Sequence, residues 1–188
     1  MFNSLSFLPF IPYNIVKYLA LKDEIIWKML KYNTPDALSK PDLSFKEKME
    51  LIWTGDAKQE NYSVFLSPLV KDAITESKTI IKIWDYRGLT ENLFVADMIY
   101  EFDCLYGGDM AMVTYKGVPV SRGDLFINRI MSVLNGAEIG GVGKLQFNTQ
   151  MSRYSNLNAT IGNSKTFTGV VIYMVVQVGD SGSCEPCD

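Results

Sequence analysis

The stretch LFVADMIYEFDCLY, residues 93–106, alternates between two kinds of side chain along its whole length. Such alternation is typical of a β-strand, because successive side chains point to opposite faces of a sheet. At about 3.3 Å per residue the strand would be roughly 45 Å long, whereas five or six residues is typical. One face would be mainly apolar (Phe94, Ala96, Met98, Tyr100, Phe102, Cys104 and Tyr106), and the other would carry the carboxylates Asp97, Glu101 and Asp103.

The residues just before this stretch predict its partner strand. Residues 79–86 are rich in isoleucine and aromatic side chains, and the turn-like Arg87-Gly88 follows them. We therefore expect an antiparallel hairpin over residues 79–106. Because its second strand is so long, we expect part of the hairpin to leave the core and to be shared with a partner or to project. The alternative is a fully local hairpin with its acidic face in solvent.

Three other segments show the spacing of amphipathic helices. The first runs from Asn14 to Asn33, and Pro35 follows it. The second starts at Ser44 with a capping box and ends at Gly55, with Phe45 facing inward. The third starts at Ser121 and ends at Asn135-Gly136, so that the adhesion-like tripeptide Arg122-Gly123-Asp124 is only its first turn.

Two further strands complete the predicted fold. They lie near residues 144–147 and at residues 166–178, with a bulge expected at Gly169. This order of elements predicts an α+β fold with a mixed or antiparallel sheet, a long hairpin and helices packed on one face. We expect an apolar N-terminal arm at residues 1–13, one α+β domain at residues 14–178 and a flexible tail at residues 179–188.

Composition excludes several classes of protein. A chain of 188 residues with 47% hydrophobic and 21% charged residues is long enough for one globular domain. Its net charge of −3 argues against a strongly basic nucleic-acid binder. The chain has no histidine, which removes histidine-based nucleophile pairs and histidine-ligated zinc. The longest apolar run has seven residues, Val170 to Val176, so no membrane span is predicted.

Two motifs are candidate sites of chemistry, but neither has the spacing that the chemistry requires. Cys184 and Cys187 form a C-x-x-C pair, but a zinc site needs two more ligands and only Cys104 remains. The glycines of residues 136–143 match neither phosphate-loop spacing. We therefore expect no catalytic residue, no metal and no cofactor.

Two parts of the chain resemble the neck proteins of tailed phages. Residues 19–52 are similar to the N-terminal region of that family, especially in LKYN (30–33), DALSKPDL (36–43) and residues 46–52. Residues 125–147, with FINRI (126–130), LNG (134–136) and IGGVGKLQF (139–147), are similar to its later segment, where a helix leads through an IGGxGxLxF strand into a hydrophobic last strand.

The resemblance implies a non-enzymatic virion protein, such as a head–tail connector or tail terminator, assembled in the host cytoplasm. Such proteins form rings that contact portal and tail proteins and let DNA pass without sequence-specific binding or contact with a membrane. The candidate subunit-interface residues are then Phe2, Leu5, Phe7, Leu8 and Phe10 of the arm, with Phe94, Met98, Tyr100 and Phe102 of the hairpin. The candidate channel-facing residues are Asp97, Glu101 and Asp103.

Two alternatives remain open at this stage. One is a tail or baseplate adaptor, which is also a structural protein. The other is a small carboxylate- or thiol-dependent enzyme that would use Asp97, Glu101 or the Cys184/Cys187 pair.

Overall fold

The computed structural model describes residues 8–56, 58–68, 77–90, 95–140, 143–161 and 165–179. Within these residues the chain forms four α-helices, a six-stranded mixed sheet and a two-stranded sheet, which confirms the predicted α+β class. The helices are α1 (Ile11–Lys22), α2 (Ile25–Lys31), α3 (Phe45–Glu50) and α4 (Arg122–Leu134). The strands are β1 (Val64–Phe65), β2 (Ile80–Thr90), β3 (Val95–Gly107), β4 (Met112–Tyr115), β5 (Val118–Ser121), β6 (Leu145–Gln146), β7 (Arg153–Ile161) and β8 (Lys165–Gly179).

The large sheet has the order β1-β2-β3-β8, and β6 and β7 both pair with the other edge of β8. Among the described strands of this sheet, β1 runs parallel to its neighbour and the other pairs are antiparallel. The predicted hairpin is confirmed as β2 and β3, with Ile83 opposite Phe102. The register shifts between Asp85 and Arg87, so Tyr86 is an extra residue in β2. The strands β4 and β5 form the separate small sheet.

The expectation that the long strand leaves the core is wrong for β3. Along its length β3 pairs with β8, from Val95 opposite Gly179 to Gly107 opposite Phe167. Its other edge pairs with β2 over most of that length. Because both edges are used inside the chain, β3 is a central strand and has no edge for a neighbouring subunit. The unusual length of β3 is matched by β8, which has 15 residues.

The main core lies between one face of the sheet and the helices. From β3 and β8, the side chains of Tyr100, Phe102, Ile172 and Met174 are fully buried there. They pack in one cluster with apolar residues of α1, α2 and α4 (Ile11, Ile15, Leu19, Ile26, Trp27, Met29, Phe126, Ile130 and Leu134). The helices therefore cover one face of the sheet, as predicted from the order of elements.

The first predicted helix is two helices, and it begins earlier than expected. Asp23 adopts an extended conformation after α1, and its Oδ1 accepts a hydrogen bond from the Ile26 amide at 2.6 Å. This carboxylate therefore caps α2 and breaks the helix, although the apolar spacing continues through the break. Pro12 lies in the first turn of α1, where proline is tolerated, and Ile11 is completely buried. Ile11–Tyr13 therefore belong to the domain and not to an extended arm.

The capping box of the second predicted helix is confirmed. The Glu47 amide donates to Ser44 Oγ, and the Ser44 amide donates to the Glu47 carboxylate at 2.8 Å. The helix ends at Glu50, however, and Phe45 lies on its exposed side, contrary to the inward position expected from the sequence.

The last strand has no bulge at Gly169. The register between β3 and β8 is continuous there, with Leu105 opposite Gly169. A β-carbon at this position would lie 2.0 Å from the carbonyl oxygen of Cys104, so the glycine allows a close approach of two backbones. Strands β1, β4, β5 and β7 were not predicted, because they are short or polar.

Candidate functional site

The three carboxylates of β3 share one face of the sheet, as the alternation predicts, but they do not form a solvated wall. Asp97, Glu101 and Asp103 lie on the face opposite the main core and are only 7%, 8% and 3% exposed. Neighbouring side chains on β2 and β8 cover them. Their predicted role as channel-facing residues therefore needs correction, because groups buried within the chain cannot line an aqueous channel.

An ion pair joins two adjacent strands on this face. Lys82 of β2 lies directly opposite Asp103 of β3, and the Lys82 Nζ atom is 2.6 Å from Asp103 Oδ2. Both side chains are at most 12% exposed. The second oxygen, Asp103 Oδ1, has no hydrogen-bond partner in the part of the chain that the structure describes. A buried carboxylate oxygen is costly to leave without a donor.

Glu101 is the group that can supply this donor. Burial, and then the negative charge of Asp103, raise the pKa of Glu101 to about 7. Hydrogen bonding to the Tyr173 hydroxyl and the positive charge of Lys82 oppose this rise only in part. When protonated, Glu101 can donate to Asp103, so the two carboxyl groups share a proton.

Aromatic rings and cations lie around the carboxyl pair on the same face. The Lys82 Nζ atom lies 5.0 Å from the Trp84 ring centroid, and the Arg153 guanidinium lies 4.6 Å from the ring of Tyr173. The rings of Tyr86 and Tyr173 meet edge to face at 5.1 Å. These side chains restrict the access of water to the carboxyl pair.

The carboxyl pair predicts a pH dependence of stability. The pKa of Glu101 is higher in the folded chain than its ordinary value, so its contribution to stability is full at low pH and is lost as pH rises through about 7. The Glu101→Gln variant keeps a neutral donor at every pH. We expect it to match the wild type near pH 4.5 and to be more stable at pH 8, by about 1–3 kcal/mol.

Denaturant unfolding at pH 4.5, 6 and 8 measures this difference. The exposed Glu50→Gln variant is the control and should show no comparable pH-dependent gain. A Glu101→Gln variant that is equally destabilised at all three pH values would contradict a shared proton.

The interface residues predicted on the hairpin belong to the chain's own core. Met98, Tyr100 and Phe102 point toward the helices and are buried in the main cluster, so they are not available to a second subunit. Phe94 lies outside the described residues. The alternation correctly placed these side chains on one face, but the helices of the same chain cover that face.

The arm residues are placed only in part. Phe2, Leu5 and Phe7 lie outside the described residues. Leu8 is half-buried and packs against the main core, whereas Phe10 is 60% exposed. Of the predicted interface residues that the structure describes, Phe10 is the one with a largely exposed side chain.

Phe10 is close in sequence to an exposed apolar surface that the sequence did not predict. Tyr13 of α1 and Phe45 of α3 are each 42% exposed, and both line a groove of about 870 Å³ together with Met49 and Ile52. The sequence carried one signal for Tyr13, because it lies three residues after Phe10, on the same side of a helix. No sequence signal indicated that Phe45 is exposed, because an apolar residue at the start of a helix is normally predicted to be buried.

The described residues offer little that is typical of a metal site. They contain no group of three or more Cys, Asp or Glu side chains arranged to hold a metal ion. Cys104 is fully buried and free, and burial raises the pKa of its thiol. Cys184 and Cys187 lie outside the described residues. No helix in the described ranges is long and apolar enough to span a bilayer.

The fold and surfaces define an α+β protein with a mixed sheet, helices on one face, a buried carboxyl pair on the other and an apolar groove between α1 and α3. The chain belongs to the YomW family, whose model matches residues 23–176. Membership of this family hints at a phage origin. No curated protein matches the chain significantly.

Proposed function

We propose that the protein is a non-enzymatic structural component of a phage particle. It forms an oligomeric ring at the head-to-tail junction, where it joins the connector to the tail and surrounds part of the DNA conduit. A ring requires two different complementary surfaces on each subunit.

The observation that carries the proposal is the apolar surface formed by α1 and α3. Tyr13 and Phe45 are large, partly exposed side chains that line the same groove, and contiguous apolar patches on soluble proteins commonly mark interaction sites. The phage origin of the family supports a role in a particle. The segments that resemble neck proteins are residues 19–52 and 125–147, and all of them except residues 19–22 lie within the matched range.

The buried carboxyl pair is not part of this proposal. Glu101 and Asp103 lie beneath aromatic side chains, and the described groove lies between α1 and α3, on helices that pack against the other face of the sheet. Other residues therefore form the DNA-facing wall of the proposed ring. The carboxyl pair contributes to the fold of the subunit.

Mass measurement in solution is the first test. We expect light scattering and native mass spectrometry to give a multiple of the 21.2 kDa monomer mass, and electron microscopy to show rings with a central hole. A chain that stays monomeric at every concentration and in the presence of purified particle components would overturn the proposal.

Imaging of the assembled particle is the second test. A gold-labelled antibody against the protein should bind at the junction between head and tail. Label at the far end of the tail would favour the baseplate alternative, and a complete absence of the protein from purified particles would contradict a structural role.

A further inference from the structure

The groove between α1 and α3 is lined in part by apolar side chains, and polar or charged side chains of α3 and of residues 54–61 also line it. Met49 and Ile52 form part of its floor, and the rings of Tyr13 and Phe45 border it. Lys46 and Glu50 lie at the rim, and their charged atoms are 3.8 Å apart on exposed side chains. A volume of about 870 Å³ is in the range of sites that enclose several large side chains.

The chain itself contains a segment with matching chemistry. Residues 1–7, Met-Phe-Asn-Ser-Leu-Ser-Phe, present Phe2, Leu5 and Phe7 between small uncharged polar residues. The first charged side chain of the sequence is Lys17. A segment without charged side chains can enter an apolar groove without the cost of burying an ion. When extended, seven residues reach up to about 24 Å, enough to cross the groove.

We propose that residues 1–7 of one copy dock in the groove between α1 and α3 of a second copy. This inference rests on the proposed function, because it names one of the two contacts that close the ring. Phe2, Leu5 and Phe7 pack against Tyr13, Phe45 and Met49 of the neighbour, which leaves Lys46 and Glu50 at the solvent edge.

The proposed ring favours a second copy over the same copy, because each subunit of a ring contacts its neighbours through two different surfaces. A helical turn at residues 8–10 leads without interruption into α1, so the arm joins the chain close to Tyr13 at the border of the groove.

Cross-linking between two differently tagged copies tests the contact. The background is Cys184→Ser with Cys187→Ser, and Cys104 is buried. One copy carries Ser6→Cys in the arm, and the other carries Lys46→Cys at the groove rim. We expect a short bismaleimide to join the two copies. The control places the cysteine at exposed Lys116, on the turn between β4 and β5, and should give no such product.

Assembly gives an independent readout. Deletion of residues 1–7 removes none of the described core, and we expect it to weaken oligomerisation about tenfold or more. The double variant Tyr13→Ser with Phe45→Ser should weaken oligomerisation to the same extent. Combining this double variant with the deletion should weaken oligomerisation little further. Met112→Ser, which changes another exposed apolar side chain, is the control and should leave assembly unchanged. Circular dichroism checks that every variant is folded.

The outcomes separate this inference from the proposed function. A cross-link that forms only when both cysteines are in one chain would overturn docking between copies. A ring that persists after deletion of the arm and after the groove substitutions, with no cross-link between copies, would overturn docking but leave the ring standing. A wild-type chain that is always monomeric would overturn both.

Discussion

Replacing Arg122 with methionine is expected to lower the free energy of unfolding by about 3–5 kcal/mol, because three buried acceptors lose their donor at about 1–3 kcal/mol each. Arg122 begins α4 and is completely buried. Its Nη1 atom donates to the Met29 carbonyl at 2.9 Å and to Thr79 Oγ1 at 3.0 Å, and Nη2 donates to the Thr34 carbonyl at 3.0 Å. Methionine fills similar space but leaves these three acceptors without their donor.

The environment of Arg122 explains why a buried cation is tolerated there. Its acceptors are carbonyl and hydroxyl oxygens, and one of them, the Met29 carbonyl, lies in the last turn of α2, where the helix dipole is negative. Burial still lowers the pKa of Arg122, and its Nε atom has no hydrogen-bond partner among the described residues. The side chain thus forms hydrogen bonds to the end of α2, to the loop at Thr34 and to Thr79, which directly precedes β2.

Denaturant unfolding of the variant measures the loss. The matched control is Arg87→Met on β2, where the side chain is exposed, and its stability should change by no more than about 0.5 kcal/mol. If Arg122→Met were as stable as this control, the three hydrogen bonds would not contribute as described.

Gly169→Ala is expected to have the second largest effect. The new methyl group would lie 2.0 Å from the Cys104 carbonyl oxygen and 2.9 Å from its carbon, which are backbone atoms of the neighbouring strand. They cannot move without disturbing the pairing of β3 with β8 at the centre of the sheet. The loss of stability should therefore reach or exceed the upper end of the usual cost of overpacking, about 1–3 kcal/mol.

The control for this prediction is another glycine in open space. A β-carbon at Gly108 would have no atom within 4 Å, and Gly108→Ala should leave the stability nearly unchanged. Thermal and denaturant unfolding of the two variants provide the comparison. Equal stabilities would show that β3 and β8 can separate at this position without loss, contrary to the close approach.

Local signals in the sequence predicted the elements that depend on near neighbours. The capping box at Ser44 and the cap at Ser121 are both formed, because each requires only residues three positions apart. The alternation over residues 93–106 correctly gave both faces of β3. The break at Asp23 was missed because the apolar spacing of α1 continues into α2. Strand β7 was missed because residues 153–161 are mostly polar, and its pairing with β8 defines it instead.

The candidate sites also differ between what the sequence predicted and what the tertiary structure shows. From the sequence, Asp97, Glu101 and Asp103 were expected in water, and Met98, Tyr100 and Phe102 at an interface between subunits. The structure buries both sets within one chain. The apolar surface at Tyr13 and Phe45 became visible only when α1 and α3 were placed side by side.

By itself, the sequence determined the α+β class, the hairpin of β2 and β3, two helix caps and which side chains of β3 share a face. These follow from periodicity and from hydrogen bonds between residues close in the chain. Only the tertiary structure decided what covers each face, because burial depends on residues far apart in sequence. It placed Lys82 against Asp103 and Arg122 against the end of α2. It also made β3 a central strand, although its length alone had suggested a strand that projects from the core.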